Sequence, residues 1–561
     1  MLQIFLFSFL TSIQIIISGY LFYFLLIDKQ ISNKNIFSFG LLGLIVIGFF
    51  GLFLNFFLNL NKYVADIVFI LPLIFFCFFY FNKKVFKKII LYSILISIFF
   101  TLTISFDNHY IPDAGSYHLP FISILNENKI IIGINNLHYR FGHISIFQYI
   151  SALYNNHLFG DNGISIPLGL VYCFFVGYLI FEILNNQNDK FLYVFLFIIL
   201  SFVLFRMNRY SDLGNDGPAN IFFFYLIIET IKNNNLIYKL KITSVLAVFV
   251  FLNKITLLLS FLIPLFLLIR NFKNINIINR INIFSLFFLT LFLIKNIFTS
   301  GCLAFPIEHS CFKKVFWFND NNKYSVKYVR MENEAWTKGW PDQVEPMKSH
   351  SEYIANLDWI ETWKKNHGII IVKKLTPFIL FLTIILIIGY LFRKNKIYSK
   401  VDKENYDNLT NLFLITICFI GSLIWFFKFP VFRYGYSYFI SFFGLSTSLL
   451  IKNLSILHDL KKIKKKIIIV FLILISAVVL KNMMRIVENY QNSINAWPQI
   501  YLDVEYNKNE QIAVYKNSKL FFFKNEITCF YSKSPCTHLY DFNLNNLNLK
   551  EIYGYKVFYF N

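Results

Sequence analysis

The chain has 561 residues, of which 57% are apolar and only 15% charged, with a mean hydropathy of +0.55. That is more hydrophobic surface than a water-soluble domain can bury, which excludes the soluble globular classes and leaves an α-helical polytopic membrane protein. The formal charge of +22 then reflects topology and attraction to an anionic inner leaflet, so no nucleic-acid partner is needed to explain it.

Apolar runs long enough to cross ~30 Å of hydrocarbon predict about fourteen spans. The first, Met1 to Ile27, has no basic leader and no small-residue cleavage site before Asp28, and reads as a retained span. The others lie near 37–60, 64–81, 89–106, 165–185, 191–206, 218–232, 240–253, 255–269, 281–299, 369–392, 409–427, 435–451 and 467–481. Phe, Ile, Asn, Lys and Tyr are inflated together, as an A+T-rich coding sequence would produce, so the wealth of phenylalanine is not read as function.

With "NKKVFKK" (82–88) placed on the cytoplasmic side, seven alternate short loops hold 24 Lys and Arg, against 6 in the four short loops opposite. This is the positive-inside asymmetry. The run "TSVLAVFVFLNKITLLLSFLIPLFLLI" could be one long helix with Lys254 at its centre, but a single helix would turn every later basic loop outward. Charge parity therefore predicts a turn at Asn253 and Lys254, although two helices of about 15 residues would reach only ~22 Å each.

Six stretches follow: a four-span segment (1–106), a first large outer loop (107–164), central spans (165–299), a Trp-rich outer loop (300–368), further spans (369–481) and a tail (482–561). In the first loop, "NNLHYRFGHISIFQYISALYNN" is spaced like an amphipathic helix lying on the membrane. The Trp-rich loop holds five of the seven tryptophans, which read as interface anchors before sugar platforms. It ends in "SHSEYIANLDWIETWKKNHG", a second such helix, with Trp359 and Trp363 among charges. In the tail, "QIAVYKN", "KLFFFKN", "ITCFYS" and "YKVFYF" read as strands of a small outer α/β module. Cys302 and Cys311 share one outer segment, and Cys529 and Cys536 another. Disulfides 302–311 and 529–536 fit an oxidising compartment, with unpaired thiols the alternative. Cys77, Cys173 and Cys418 lie singly in spans.

The polar residues that need explaining fall on that same outer side. They are Asp113, Tyr117 and His118; His138, Arg140 and His143; Asp212 and Asp216 in "NRYSDLGNDGPAN"; Lys254; and Arg433 in "KFPVFRYGYSY". A carboxylate such as Asp113 can take a proton from an acceptor hydroxyl as general base. Asp113, Asp212 and Asp216 are also the residues that would hold a divalent cation such as Mg or Mn, the one cofactor to be considered. Arg and Lys, above all Arg433, can neutralise a lipid-linked phosphate as charge develops on it. Each has a plainer reading: Asp113 and the Asp212–Asp216 pair as helix caps, His118 and His138 as buried hydrogen-bonding groups, and Lys254 as a snorkelling side chain.

Taken together these residues predict glycosyl transfer at the outer face, from a polyprenyl-phosphate-linked sugar held by its tail in the bilayer to a glycan, lipid or protein acceptor. The alternatives are an O-antigen or polysaccharide polymerase or ligase, a flippase or transporter of lipid-linked substrates, and an envelope scaffold. A flippase would set polar groups deep within several spans.

The pieces "DAGSYHLPFI", "GINNLHYRFGHISIF", "SDLGNDGPA", "NKITLLLSFLIPL", "KNIFTSGCLAFP" and "FPVFRYG", between residues 100 and 440, resemble a branch of bacterial membrane proteins related to the GT-C glycosyltransferases, the superfamily of the protein mannosyltransferases and lipid A aminoarabinose transferases. The resemblance implies an inner-membrane enzyme with its active site facing the periplasm and Asp113 as the catalytic aspartate of the first large outer loop. The chain departs from the superfamily in two ways. Ala114 stands where a second acidic residue is usual, and four spans precede the loop instead of one.

Overall fold

The computed structural model spans Met1–Asn561 and describes all residues except 29–34, 108–111, 144, 187–188, 207–212, 271–278, 321–324, 344–346, 392–407, 454–459, 492–494, 502–510, 516–517, 524–527, 538–546 and 561. Side chains are also left aside at 206, 381, 385–386, 388–391, 453, 460–474, 511–515 and 518–523. Helices α1 (Leu2–Phe22), α2 (Ile36–Asn55), α3 (Lys62–Phe75) and α4 (Lys83–Ile104) come first. A π-helical turn (Ala114–His118), α5 (Leu119–Glu127) and α6 (Ile146–Ala152) make up much of the next segment. The central helices are α7 (Ile166–Asn185), α8 (Lys190–Arg206), α9 (Asp216–Ile231), α10 (Leu236–Asn253), α11 (Leu262–Arg270) and α12 (Arg280–Ser300). After α13 (Val326–Thr337), α14 (His350–Ala355) and α15 (Trp359–Trp363) come α16 (Ile369–Leu391), α17 (Asn408–Lys428), α18 (Phe432–Asn453) and α19 (Leu460–Tyr490).

Each of the fourteen apolar runs contains a helix. Among the described residues, nine helices are long and apolar enough to cross a membrane. Their outward faces are apolar too: α3 exposes Ile67, Ile70, Leu71 and Ile74, a stripe that hydrocarbon solvates and water does not. The chain is a helical membrane protein. Asparagine starts many of the helices, because its short amide oxygen reaches the amides two or three residues on; Asn35, Asn61, Asn82, Asn235 and Asn279 each do so. Helices α1 and α2 touch backbone to backbone, since a Cβ on Gly19 would stand 1.8 Å from Phe39 O and one on Gly43 1.9 Å from Ile15 O.

The 240–270 run does turn. Helix α10 ends at Asn253, Lys254 is extended (φ −154°, ψ 115°), and residues 255–261 form a 3₁₀ helix that leads into α11. Ser260 Oγ then donates to Ala247 O (3.3 Å) and Phe261 packs on Phe251, so the two arms fold back on each other. The shortfall in length is smaller than the sequence suggests, because 3₁₀ helix rises about 2.0 Å per residue and 255–270 reaches roughly 27 Å.

The three segments expected on one side pack together. Gly133 N donates to Phe298 O (2.7 Å), Asn136 Nδ2 to Trp317 O (2.8 Å), and Ile132 exchanges backbone hydrogen bonds with Lys556 and Phe558. At the base of the tail, Arg485 Nη2 donates to Leu102 O and Ser105 O. The loops expected opposite also meet one another: Lys232 Nζ binds Glu182 (3.1 Å) and Glu229 (3.0 Å), Asn35 Nδ2 donates to Glu182, and Lys241 Nζ to Ile27 O.

Three local expectations are corrected. Helix α6 does not lie on the membrane: all seven of its residues are buried, because its polar positions face protein partners instead of water. The 349–368 stretch is not one surface helix, because the short α14 ends at Ala355. Helix α15 continues through a π turn (Lys364–Gly368) into α16, and Trp359 is fully buried, with the Lys338 ammonium over its ring and Phe426 beside it. In the tail, β1 (Gln511–Tyr515) and β2 (Ser518–Phe523) pair antiparallel, β3 (Cys536–Thr537) adds to β2 in parallel, and β4 (Leu547–Ile552) pairs with β5 (Tyr555–Phe560). Described residues 528–532 form no strand, since Phe530 has φ 50°, which an extended strand does not accept. No helix follows Tyr490 among the described residues.

Candidate functional site

Asp113 stands at the entrance of the π turn 114–118, and its carboxylate caps no backbone amide. It faces Arg433 instead, Oδ2 to Nη2 2.8 Å. The same guanidinium reaches a second carboxylate, with Nε 3.4 Å from Asp216 Oδ2. Asp216 lies in the first turn of α9, and its other oxygen is paired with the ammonium of Lys254. That ammonium sits over the ring of Tyr434, 3.7 Å from its centroid. Four of the expected residues, from three loops and the turn at 254, therefore form one chain of alternating charge: Asp113, Arg433, Asp216, Lys254.

Local structure explains why they meet. Asn253 ends α10 and accepts a hydrogen bond from Ser145 Oγ (2.9 Å), which fixes the point where Lys254 leaves the helix. Helix α18 is broken at Gly435 (φ −156°, ψ 16°), turning its first residues toward α9. Asn220, one turn after Asp216, clamps the two helices: its amide donates to Asp216 O (2.8 Å) and Arg433 O (3.2 Å) and accepts from Ser437 N (3.2 Å).

Arg140 lies over the rings of Tyr139 (5.0 Å) and Tyr117 (5.7 Å), a weakly hydrated cation held by aromatic faces. His118 is buried. Gln148 accepts the Ser145 amide with Oε1 (3.1 Å), so its NH₂ group faces His118 Nδ1 (3.1 Å). That contact assigns Nδ1 as acceptor and leaves the proton on Nε2. Burial holds the imidazole down to about 4, against the opposing pull of Asp113 and Asp216, and it is neutral at neutral pH. For Asp113, burial pushes the carboxyl up, but Arg433, then His118 and Arg140, outweigh it and hold it below its ordinary value. Burial likewise raises the Tyr117 hydroxyl well above its ordinary range.

These groups line a cavity of about 1110 Å³. Its lining includes Asp113, His118, Arg140, Asp216, Lys254 and Arg433. Its remaining walls include Leu168, Phe202, Val203, Ile221, Phe251 and Phe292. Helix α13 presents Arg330, Asn333, Glu334 and Thr337 to it, a spacing that puts them on one helix face. Six Lys and Arg side chains line the cavity against three carboxylates, so it favours an anion.

The cavity gathers Asp113, Tyr117, His118, Arg140, His143, Asp216, Lys254 and Arg433. His138 does not line it; its Nδ1 accepts the Arg140 amide (3.1 Å) and its ring packs on Phe141. Asp212 lies outside the described residues. Among the described residues no group of three His, Cys, Asp or Glu side chains could hold a metal ion. Asp113 and Asp216, which share Arg433, are both already paired with cations, so the described donors do not fit a divalent ion. Cys302 is joined to Cys311 (S–S 2.05 Å) and Cys529 to Cys536 (2.08 Å), and Phe305, Pro306 and Ile307, within the 302–311 loop, form part of the cavity wall. Sequence reasoning missed Gln148, Asn220, Tyr434 and Trp336. Only Asn220 left a signal, four residues after Asp216 in "DGPAN".

Residues 1–440 match the family described as "Domain of unknown function (DUF8201)", and the chain belongs to that family. The match takes in every cavity-lining residue and stops before the tail. No curated protein and no solved structure matches the chain.

Proposed function

We propose that the chain is a GT-C-like membrane glycosyltransferase of about fourteen spans, in a bacterial inner membrane, with its cavity opening to the periplasm. It moves a sugar from a polyprenyl-phosphate donor to an envelope glycan, lipid or protein acceptor. The observation that carries the reading is the Arg433 guanidinium held between Asp113 and Asp216 in a cavity whose lining also includes the apolar side chains of Leu168, Phe202, Val203, Ile221, Phe251 and Phe292. Such a cavity suits a ligand with an anionic head and a hydrocarbon tail.

A donor phosphate entering beside Arg433 competes with Asp113 for the guanidinium. As Arg433 turns to the phosphate, Asp113 loses the counter-charge that holds its carboxyl low and becomes the stronger base. The acceptor hydroxyl gives its proton to Asp113 while its oxygen bonds to the anomeric carbon. The bond from that carbon to the phosphate oxygen breaks, and polyprenyl phosphate leaves with the electron pair. Arg433, Lys254 and the amino-terminal end of α9 support the charge that builds on the leaving group. Asp216 holds Lys254 and Arg433 in place. No cofactor enters these steps.

Loss of the protein is expected to remove one sugar from an envelope glycan and to accumulate the matching polyprenyl-linked sugar. Glycan and lipid analysis of a deletion strain measures both. An unchanged envelope with no accumulated donor would refute the reading.

A further inference from the structure

The π turn that follows Asp113 has a gap in its backbone hydrogen bonding. Leu119 N donates to Ala114 O, so the next bond of that kind, into Gly115 O, would have to come from residue 120. That residue is Pro120, which has no N–H. The buried Gly115 carbonyl is met instead by the amide of Phe530, 2.8 Å away, from a loop near the other end of the chain. A buried carbonyl without a donor is unfavourable, which gives the contact weight.

The approach is close. A Cβ on Gly115 would stand 2.6 Å from Thr528 Oγ1 and 2.8 Å from the Phe530 ring, so the loop rests directly on the turn. The loop is itself fixed: the Cys529–Cys536 disulfide closes it, and Phe530 sits in the left-handed region at φ 50°. Further contacts run along α5. Ser123 Oγ donates to Ser532 O (2.5 Å), Tyr531 Oη donates to Asn126 Oδ1 (3.0 Å), and Ser534 N donates to Glu127 Oε2 (3.1 Å).

We infer that the disulfide-closed loop 529–536 is a positioning element for Asp113: by holding the Gly115 carbonyl and bracing α5, it sets the turn from which Asp113 reaches Arg433. The loop lies beyond the residues that the family match covers. The inference takes Asp113 as the reactive carboxylate from the proposed function, but the geometry can be tested without any transfer assay.

The test is hydrogen–deuterium exchange of the full-length protein in lipid nanodiscs, comparing wild type with Cys529→Ser/Cys536→Ser. Amides in 114–123 are expected to exchange about fivefold faster in the variant, while those in 166–185 stay as they were. Phe530→Pro, which lacks the amide, is expected to match the open loop. Phe530→Gly keeps the amide and accepts a left-handed φ, and should retain wild-type exchange. The pH midpoint for carbodiimide labelling of Asp113 should rise in both open-loop variants, which a loop that merely stabilises the tail would not cause. Unchanged exchange over 114–123 and an unchanged midpoint in both would overturn the inference. If wild type transfers no sugar while these shifts occur, the proposed function fails and the positioning role stands.

Discussion

The Arg433 guanidinium lies 2.8 Å from the Asp113 carboxylate, joining the start of α18 to the turn that follows α4. Arg433 reaches Asp216 with a second nitrogen, a geometry that a single ammonium cannot reproduce. Arg433→Ala is expected to lower sugar transfer by on the order of 10²–10³, as loss of a charge-stabilising group does. Arg433→Lys should fall between it and wild type. Initial rates with membranes holding equal amounts of protein decide this, and equal rates for wild type and Arg433→Ala would remove the residue from the site.

Lys254 and Asp216 are both largely buried, with side chains 12% and 19% exposed, so Asp216→Asn strands the Lys254 ammonium, while Lys254→Met leaves the Asp216 carboxylate to Arg433. Asp216→Asn and Lys254→Met are each expected to destabilise the protein, and the double variant by less than their sum. A coupling of about 1 kcal/mol or more, read from thermal unfolding in detergent, is the expected result. Strict additivity would mean that the pair is not energetically linked.

His118 gives a pH signature. Its folded pKa of about 4 lies below the ordinary 6.5, so between those values the unfolded chain binds the proton and the folded one resists it. Stability should therefore fall as pH drops from 6.5 to 4, by up to about 3 kcal/mol. Asp113 adds a separate loss at still lower pH, because its folded carboxyl is held below its ordinary value. In His118→Gln the first decline should disappear and the second remain. Unfolding temperatures from about pH 2 to 7 check both declines.

The three packed segments are expected to share the outer side of the membrane. In a Cys77→Ser background, Pro341→Cys and Tyr553→Cys are expected to react with an impermeant thiol reagent from outside, and Lys84→Cys only after permeabilisation. Tyr553 is 96% exposed, so its accessibility is not in doubt. The reverse pattern would invert the topology.

Much of the site was legible because it consists of ionisable residues at the ends of apolar runs. Alternation of the spans carries Asp113, Asp216, Lys254 and Arg433 to one side, and charge parity located the turn at Lys254. What the sequence concealed depends on tertiary partners. The polar positions around α6 looked solvent-facing, yet Ser145 and Gln148 are turned toward Asn253 and His118. The 527–532 stretch has the composition of a strand, but at its described residues a disulfide and a left-handed Phe530 prevail. Asn220 stands one helical turn after Asp216, but only the approach of α18 makes it a clamp.

The most direct measurement is the envelope glycan profile of a deletion strain complemented with Asp113→Asn, at a protein level matched to wild type. The asparagine keeps the shape of the side chain and removes its charge and its basicity. The account predicts that wild type restores the missing sugar, while Asp113→Asn leaves it missing and the polyprenyl-linked donor accumulated. Full restoration by Asp113→Asn would contradict it.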